Sequence, residues 1–282
     1  MQRGVRPWAS SYKPLGPEAL RQSQGLPTHS GIMARIQAVY FDAVGTLLFP
    51  HPPAEEVYAA VGRAHGIEVS VAEVRQRLRR AFAEQEEVDR QRGWKVDAAR
   101  EVSRWRAIVQ ACLPSADAEQ AEAIFQELFE HFAHPQAWRL ADEAAMVLDA
   151  LQGRGLSCGI ASNYDARLRS VVAGFPDLAG LQERLVISAE VGYRKPSAVF
   201  FSAVACQAGY PSSQVLYVGD DLVMDYQAAQ AAGLQAVWYQ PQKKNEAAFP
   251  LRSQFQLVGD ECAAAEVVTI SRLSQLLAIV GA

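Results

Sequence analysis

The sequence predicts an α/β fold, a doubly wound parallel sheet interrupted by an all-helical insert, and three observations carry that reading. Short apolar runs rich in β-branched and aromatic residues recur at 36–42, 157–161, 184–188, 215–218 and 235–239, the pattern of strands buried on both faces. Helix-length segments separate the later runs, some of them stopped by glycine. Residues 55 to about 133 break the alternation with Glu, Arg, Gln and Ala and with apolar residues at three-to-four spacing. Alternation of strands and helices builds a Rossmann-like sheet covered on both faces.

In chain order, residues 1–34 hold Pro, Ser, Gln and Gly, few large aliphatics and a single acid, Glu18. Little there can build a core. We expect a disordered or mis-assigned N-terminal segment upstream of the first strand, with an organelle-targeting segment as the alternative. Residues 35–54 and 134–282 form the α/β core, and 55–133 form a helical cap. Because the insert follows the first strand, it is expected over the carboxyl edge of the sheet, where ligands bind in open α/β folds. Later helices are expected at 142–154, ended by Gly155, at 166–173, at 198–209 and at 224–232, ended by Gly233. A weak strand at 267–270 and a helix at 271–279 close the chain after a polar loop at 240–245.

The 282 residues are half hydrophobic, enough for a sizeable core. A net charge of −4 offers no basic field, so nucleic acid is not expected as a partner. No apolar run is long enough for a membrane span, and none is expected. Cys112, Cys158, Cys206 and Cys262 are widely spaced, as suits free thiols in a reducing compartment. The expectation is a cytoplasmic protein with a small-molecule substrate; oligomeric state is not legible.

Four motifs fall where strands should end: Asp42 in FDAVGT, Ser162-Asn163 in GIASNYD, Lys195 in YRKPSAVF, and Asp220-Asp221 with Asp225 in YVGDDLVMD. In a parallel sheet these ends converge on one crevice. An aspartate there can attack phosphorus or carbon and form a covalent intermediate. Ser162 and the Asn163 backbone can donate hydrogen bonds to a transferring group, while Lys195 offsets its charge and that of Asp42. Asp220 and Asp225, with Asp42 and one carbonyl, supply oxygen ligands suited to magnesium. Asp221 also reads as an acid favoured at a helix N-terminus.

The ordered set resembles the haloacid dehalogenase-like (HAD) hydrolase superfamily, over residues 36 to about 239, in the branch whose cap follows the first strand. Residues 64–68 (AHGIE), 132–135 (FAHP) and the DYQ beginning at Asp225 are similar to subfamily IA, in its rhythmically-expressed-gene-2-like branch. The resemblance implies that Asp42 is nucleophile and metal ligand, that the backbone carbonyl of Val44 is a second ligand, and that Asp220 and Asp225 complete a Mg2+ site. Ser162, Asn163 and Lys195 would hold the phosphoryl oxygens.

The position of Val44 carries, in phosphatases of that superfamily, an aspartate that protonates the leaving oxygen and later activates water. Valine does neither, and general acid–base catalysis is worth about 10²–10⁴-fold. The reading is therefore a magnesium-dependent phosphatase-type hydrolase of weakened activity, or one with an acid supplied by Glu143 or a cap side chain. The alternatives are a dehalogenase or phosphonatase-like C–X hydrolase, the latter with Lys95 as Schiff base, or a non-catalytic protein that binds a phosphometabolite or partner. Trp94, Trp105 and Trp138 are expected in packing, and the histidines on loops or helix faces.

Overall fold

The computed structural model describes residues 35–115, 117–241 and 267–281. Its hub is β1 (Ala38–Phe41), whose four residues are fully buried. The chain then forms β2 (Leu48–Pro50), α1 (Ala54–Ala64), α2 (Val71–Gln91), α3 (Ala98–Cys112), α4 (Ala118–His131), β3 (Trp138–Leu140), α5 (Ala144–Gly153) and β4 (Ser157–Ser162). It continues through α6 (Arg167–Ala173), β5 (Leu185–Ile187), α7 (Ser188–Val191), α8 (Ala198–Ala208) and β6 (Val215–Gly219). A π-helical turn, Leu222–Gln227, leads into α9 (Ala228–Ala231), followed by β7 (Gln235–Tyr239), β8 (Thr269–Ile270) and α10 (Leu276–Ile279).

Six parallel strands lie in the order β5-β4-β1-β6-β7-β8, so the chain winds outward in both directions from β1. The register sets Phe41 beside Ile160 of β4 and Val218 of β6. The residues just beyond these three strands therefore share one edge. Side chains alternate across the sheet as a strand requires. Val39 and Phe41 pack with Ile160, Val218 and Val237 on one face, while Ala38 and Tyr40 pack with Phe200, Phe201 and Tyr217 on the other. Burying each such large side chain contributes about 1.5–3 kcal/mol.

Three of the insert's helices, α2, α3 and α4, start where their sequence caps them. Ser70 and Glu73 form a reciprocal capping box at the start of α2, and the Asp97 and Asp117 side chains accept backbone bonds at the starts of α3 and α4. The buried stripe of α2 begins apolar, with Val74, Leu78, Ala81 and Phe82, and ends acidic, with Glu86 and Asp89. The buried stripe of α3 begins with Arg100, Glu101 and Arg104 before turning apolar at Ile108 and Val109. The hairpin of α2 and α3 thus carries a polar interior at one end.

Some elements differ from expectation. β2 and β3 pair antiparallel, Leu48 with Leu140 and Pro50 with Trp138, and three residues each is too short for a period to be seen. The helix expected from 224 begins at Leu222 as a π-turn, because Asp221 caps it. The helix expected at 271–279 is α-helical only over α10, after a 3₁₀ turn at Leu273–Gln275. Residues 1–34, most of the 240–245 loop and Cys262 lie outside the described residues. Among the described residues Cys112, Cys158 and Cys206 are free, and no helix is long and apolar enough to cross a membrane.

Candidate active site

The carboxyl edge of the sheet gathers every residue singled out at the strand ends. Asp42 follows β1 and is held there by its backbone N–H, which donates to the Val218 carbonyl at 2.8 Å. Ser162 ends β4, and its hydroxyl donates to Asp42 Oδ1 at 2.9 Å. Lys195 Nζ donates to the same Oδ1 at 2.7 Å and to Asp225 Oδ1 at 2.6 Å. Asn163 positions the lysine's backbone: its Oδ1 accepts from Lys195 N at 2.8 Å and its Nδ2 donates to Lys195 O at 3.2 Å. It acts on the backbone of the lysine loop.

Carboxylate oxygens of Asp42, Asp220 and Asp225 lie within 4.8 Å of one another. Two glycines permit that approach. A Cβ on Gly45, whose φ is +96°, would stand 2.6 Å from Asp220 Oδ1, and one on Gly219 would stand 2.3 Å from the Asp225 carboxyl carbon. Burial pushes Asp42 up to about 6, against the pull of Lys195 and with the help of the Asp225 charge. Burial and the charges of Asp225, Asp42 and Asp221 drive Asp220 well above the ordinary carboxylate range. Lys195 is disfavoured as a cation by burial, yet Asp225 and Asp42 raise it well above its ordinary value. Three carboxylates around one ammonium leave excess negative charge, and an all-oxygen donor set of this kind fits a hard divalent cation.

Asp221 is a cap: its Oδ1 accepts from Val223 N and Met224 N, both at 2.8 Å. Val44 lines the crevice as a half-buried side chain. Glu143 does not line it; Glu143 Oε2 accepts instead from Ser274 N at 2.9 Å. Lys95 is exposed, pairs through its backbone with Tyr193, and stands outside the crevice lining.

Above the carboxyl edge lies a cavity of about 110 Å³ shared by the sheet edge and the four helices of the insert. Two tryptophans expected in packing, Trp105 and Trp138, line it. So do Glu101, Arg104 and Arg194, members of a buried ionic group centred on Asp89 that the sequence reading did not single out. Asp89, fully buried, accepts from Arg100 Nε at 2.8 Å, Arg104 Nη1 at 2.5 Å and Arg194 Nη1 at 2.6 Å. Arg194 also approaches Glu101 Oε1 at 3.5 Å. Its position directly before Lys195 was the available signal. Backbone bonds join the same segments, Arg194 N to Trp94 O at 3.0 Å and Val96 N to Gly192 O at 3.1 Å.

Fold and crevice together define a class of hydrolases, and comparison with known proteins agrees. The profile of haloacid dehalogenase-like hydrolases matches residues 36–233, and the chain belongs to that family. Haloacid dehalogenase-like hydrolase domain-containing protein 3 of Homo sapiens is 30% identical over 210 residues, 72% of this chain and 81% of that protein. Ribulose-1,5-bisphosphate 5-phosphatase of Halopiger xanaduensis is 26% identical over 217 residues, 74% of this chain and 87% of that protein. The crystal structure of the HAD-hydrolase YfnB from Bacillus subtilis, bound to magnesium, aligns with a TM-score of 0.62 at 18% identity, covering 88% of this chain and 100% of that one.

Proposed function

We propose that the protein is a magnesium-dependent phosphatase-type hydrolase that acts on a small phosphorylated metabolite through an aspartyl intermediate. The observation that carries this reading is the clustering of Asp42, Asp220 and Asp225 within 4.8 Å, with Lys195 bridging Asp42 and Asp225. Asp42, the Val44 carbonyl, Asp220 and Asp225 would hold the cation, which, when bound, neutralises charge on the phosphoryl oxygens. An Asp42 carboxylate oxygen attacks phosphorus. Ser162 Oγ and Lys195 Nζ, both aimed at Asp42 Oδ1, donate to the phosphoryl oxygens as charge shifts onto them, and Asn163 keeps the lysine loop in place. Helices α1 to α4 act as the cap over this crevice, because each follows β1 and contributes to the cavity wall. The 64–68, 132–135 and DYQ motifs support the subfamily IA branch, and the free thiols support a reducing, cytoplasmic setting.

A dehalogenase needs no metal, so the Asp220 and Asp225 pair would hold no cation in it. The Schiff-base variant lacks its lysine, since Lys95 is exposed and outside the crevice. The test is turnover of p-nitrophenyl phosphate and acetyl phosphate with magnesium and with EDTA, beside Asp42→Asn. Activity that requires both magnesium and Asp42 is expected. A folded, magnesium-binding protein silent on both esters would return the choice to dehalogenation or to a binding role.

A further inference from the structure

We propose that Glu86, on α2, is the catalytic acid and base that Val44 cannot be, donating a proton to the leaving oxygen from the cap side of the crevice. This rests on the phosphatase reading above. Glu86 is 9% exposed and lines the same cavity as Asp42, Val44, Lys195 and Asp220. Its carboxyl takes no hydrogen bond and no ion pair among the described residues, and its oxygens are not among the enclosed polar atoms, so they keep access to the aromatic-walled cavity that Glu86 lines. A carboxyl that is held by no partner and keeps access to the crevice is able to exchange a proton with a group bound there.

The other acids of the cavity wall are already engaged. Asp42 and Asp225 hold Lys195, Asp221 caps the π-turn, Glu101 faces Arg194, and Asp220 belongs to the acidic cluster. The charged groups facing Glu86 are Arg104 from α3, Arg194 from the loop before Lys195, Asp221 beyond β6 and Asp89 one turn along α2. Burial pushes Glu86 up to about 7, with the two guanidiniums pulling against it. Both protonation states are then populated near neutrality, the condition for a group that gives and later takes a proton.

In the first step an Asp42 oxygen bonds to phosphorus and the P–O bond to the leaving group breaks. The bonding pair goes to the leaving oxygen, which receives the Glu86 proton and departs as an alcohol or phenol. In the second step water attacks the phosphoaspartate, its proton passes to the Glu86 carboxylate, and the P–O bond to Asp42 breaks. Inorganic phosphate, the Asp42 carboxylate and protonated Glu86 result. Either transfer can run directly or through one water.

The test uses the whole protein with magnesium and compares kcat/KM for phenyl phosphate, a poor leaving group, with p-nitrophenyl phosphate, a good one of nearly the same shape. Glu86→Gln should lower kcat/KM for phenyl phosphate by about 10²-fold and leave p-nitrophenyl phosphate within about threefold. Adding Val44→Asp should restore phenyl phosphate in that background, which also shows that the variant folds. Parallel losses on both esters, with no recovery on Val44→Asp, would mean that Glu86 binds substrate and would overturn the proposal, as would no loss on either. Wild-type protein that hydrolyses neither ester would remove the phosphatase reading itself, and this inference with it.

Discussion

Valine at position 44 removes a proton donor from the sheet side of the crevice without removing the backbone carbonyl, so charge neutralisation and proton transfer become separable at single residues. Asp42→Asn removes the nucleophile while keeping the hydrogen-bonding shape. It should lower turnover of p-nitrophenyl phosphate by at least about 10³-fold, and retention of activity would remove Asp42 from that role. Gly219→Ala tests the acidic cluster from the backbone. Its Cβ would meet the Asp225 carboxyl at 2.3 Å, so the carboxylate must move. Calorimetry should find magnesium binding weakened by about tenfold or more, on the scale of lost support around a metal ligand, while circular dichroism stays native. Unchanged binding would exclude Asp225 from the metal site. Asp42 and Asp220 were legible in the sequence because each stands at the end of an apolar run, and a parallel sheet brings such ends together.

Helix α2 shows where legibility stops. Its apolar half announces a helix, but Glu86 and Asp89 read as ordinary solvated charges until the partner helix is known, and α3 offers arginines to the same interior. Sequence spacing reveals which residues share a helix face, not which face meets another. The β2 and β3 ribbon escaped for a different reason, being three residues on each side. The placement of Glu86 has a pH signature. Its folded value of about 7 lies above the ordinary 4.5, so between those limits the folded chain keeps a proton that the unfolded chain has lost. That contribution is present below about pH 4.5 and falls as pH rises to 7. Urea denaturation at pH 5 and pH 8 should therefore show wild type losing on the order of 3 kcal/mol relative to Glu86→Gln. Identical pH dependence in the two proteins would contradict a perturbed Glu86.

For the whole molecule, the deciding contacts join segments far apart in the chain, such as Arg194 and Asp89, separated by 105 positions. Asp89 compensates three buried arginines at once. Removing it leaves Arg100 and Arg104 without their ion-pair partner and Arg194 with only Glu101 at 3.5 Å, and Asp89→Ala should cost about 3–5 kcal/mol in a denaturant titration. Salt will not reproduce the effect, because the group is shielded from mobile ions. A loss below about 1 kcal/mol would place the network among the weak surface pairs instead.

The backbone bonds between residues 94–96 and 192–194 sit beside the lysine that bridges two carboxylates. A hairpin tied in this way cannot swing outward as an independent flap. Either it breaks those bonds together with the Arg194 to Asp89 pair, or it drags the lysine loop along. The position of the α2–α3 hairpin and the charge balance of the crevice are thus geared to one another through residues 192–195.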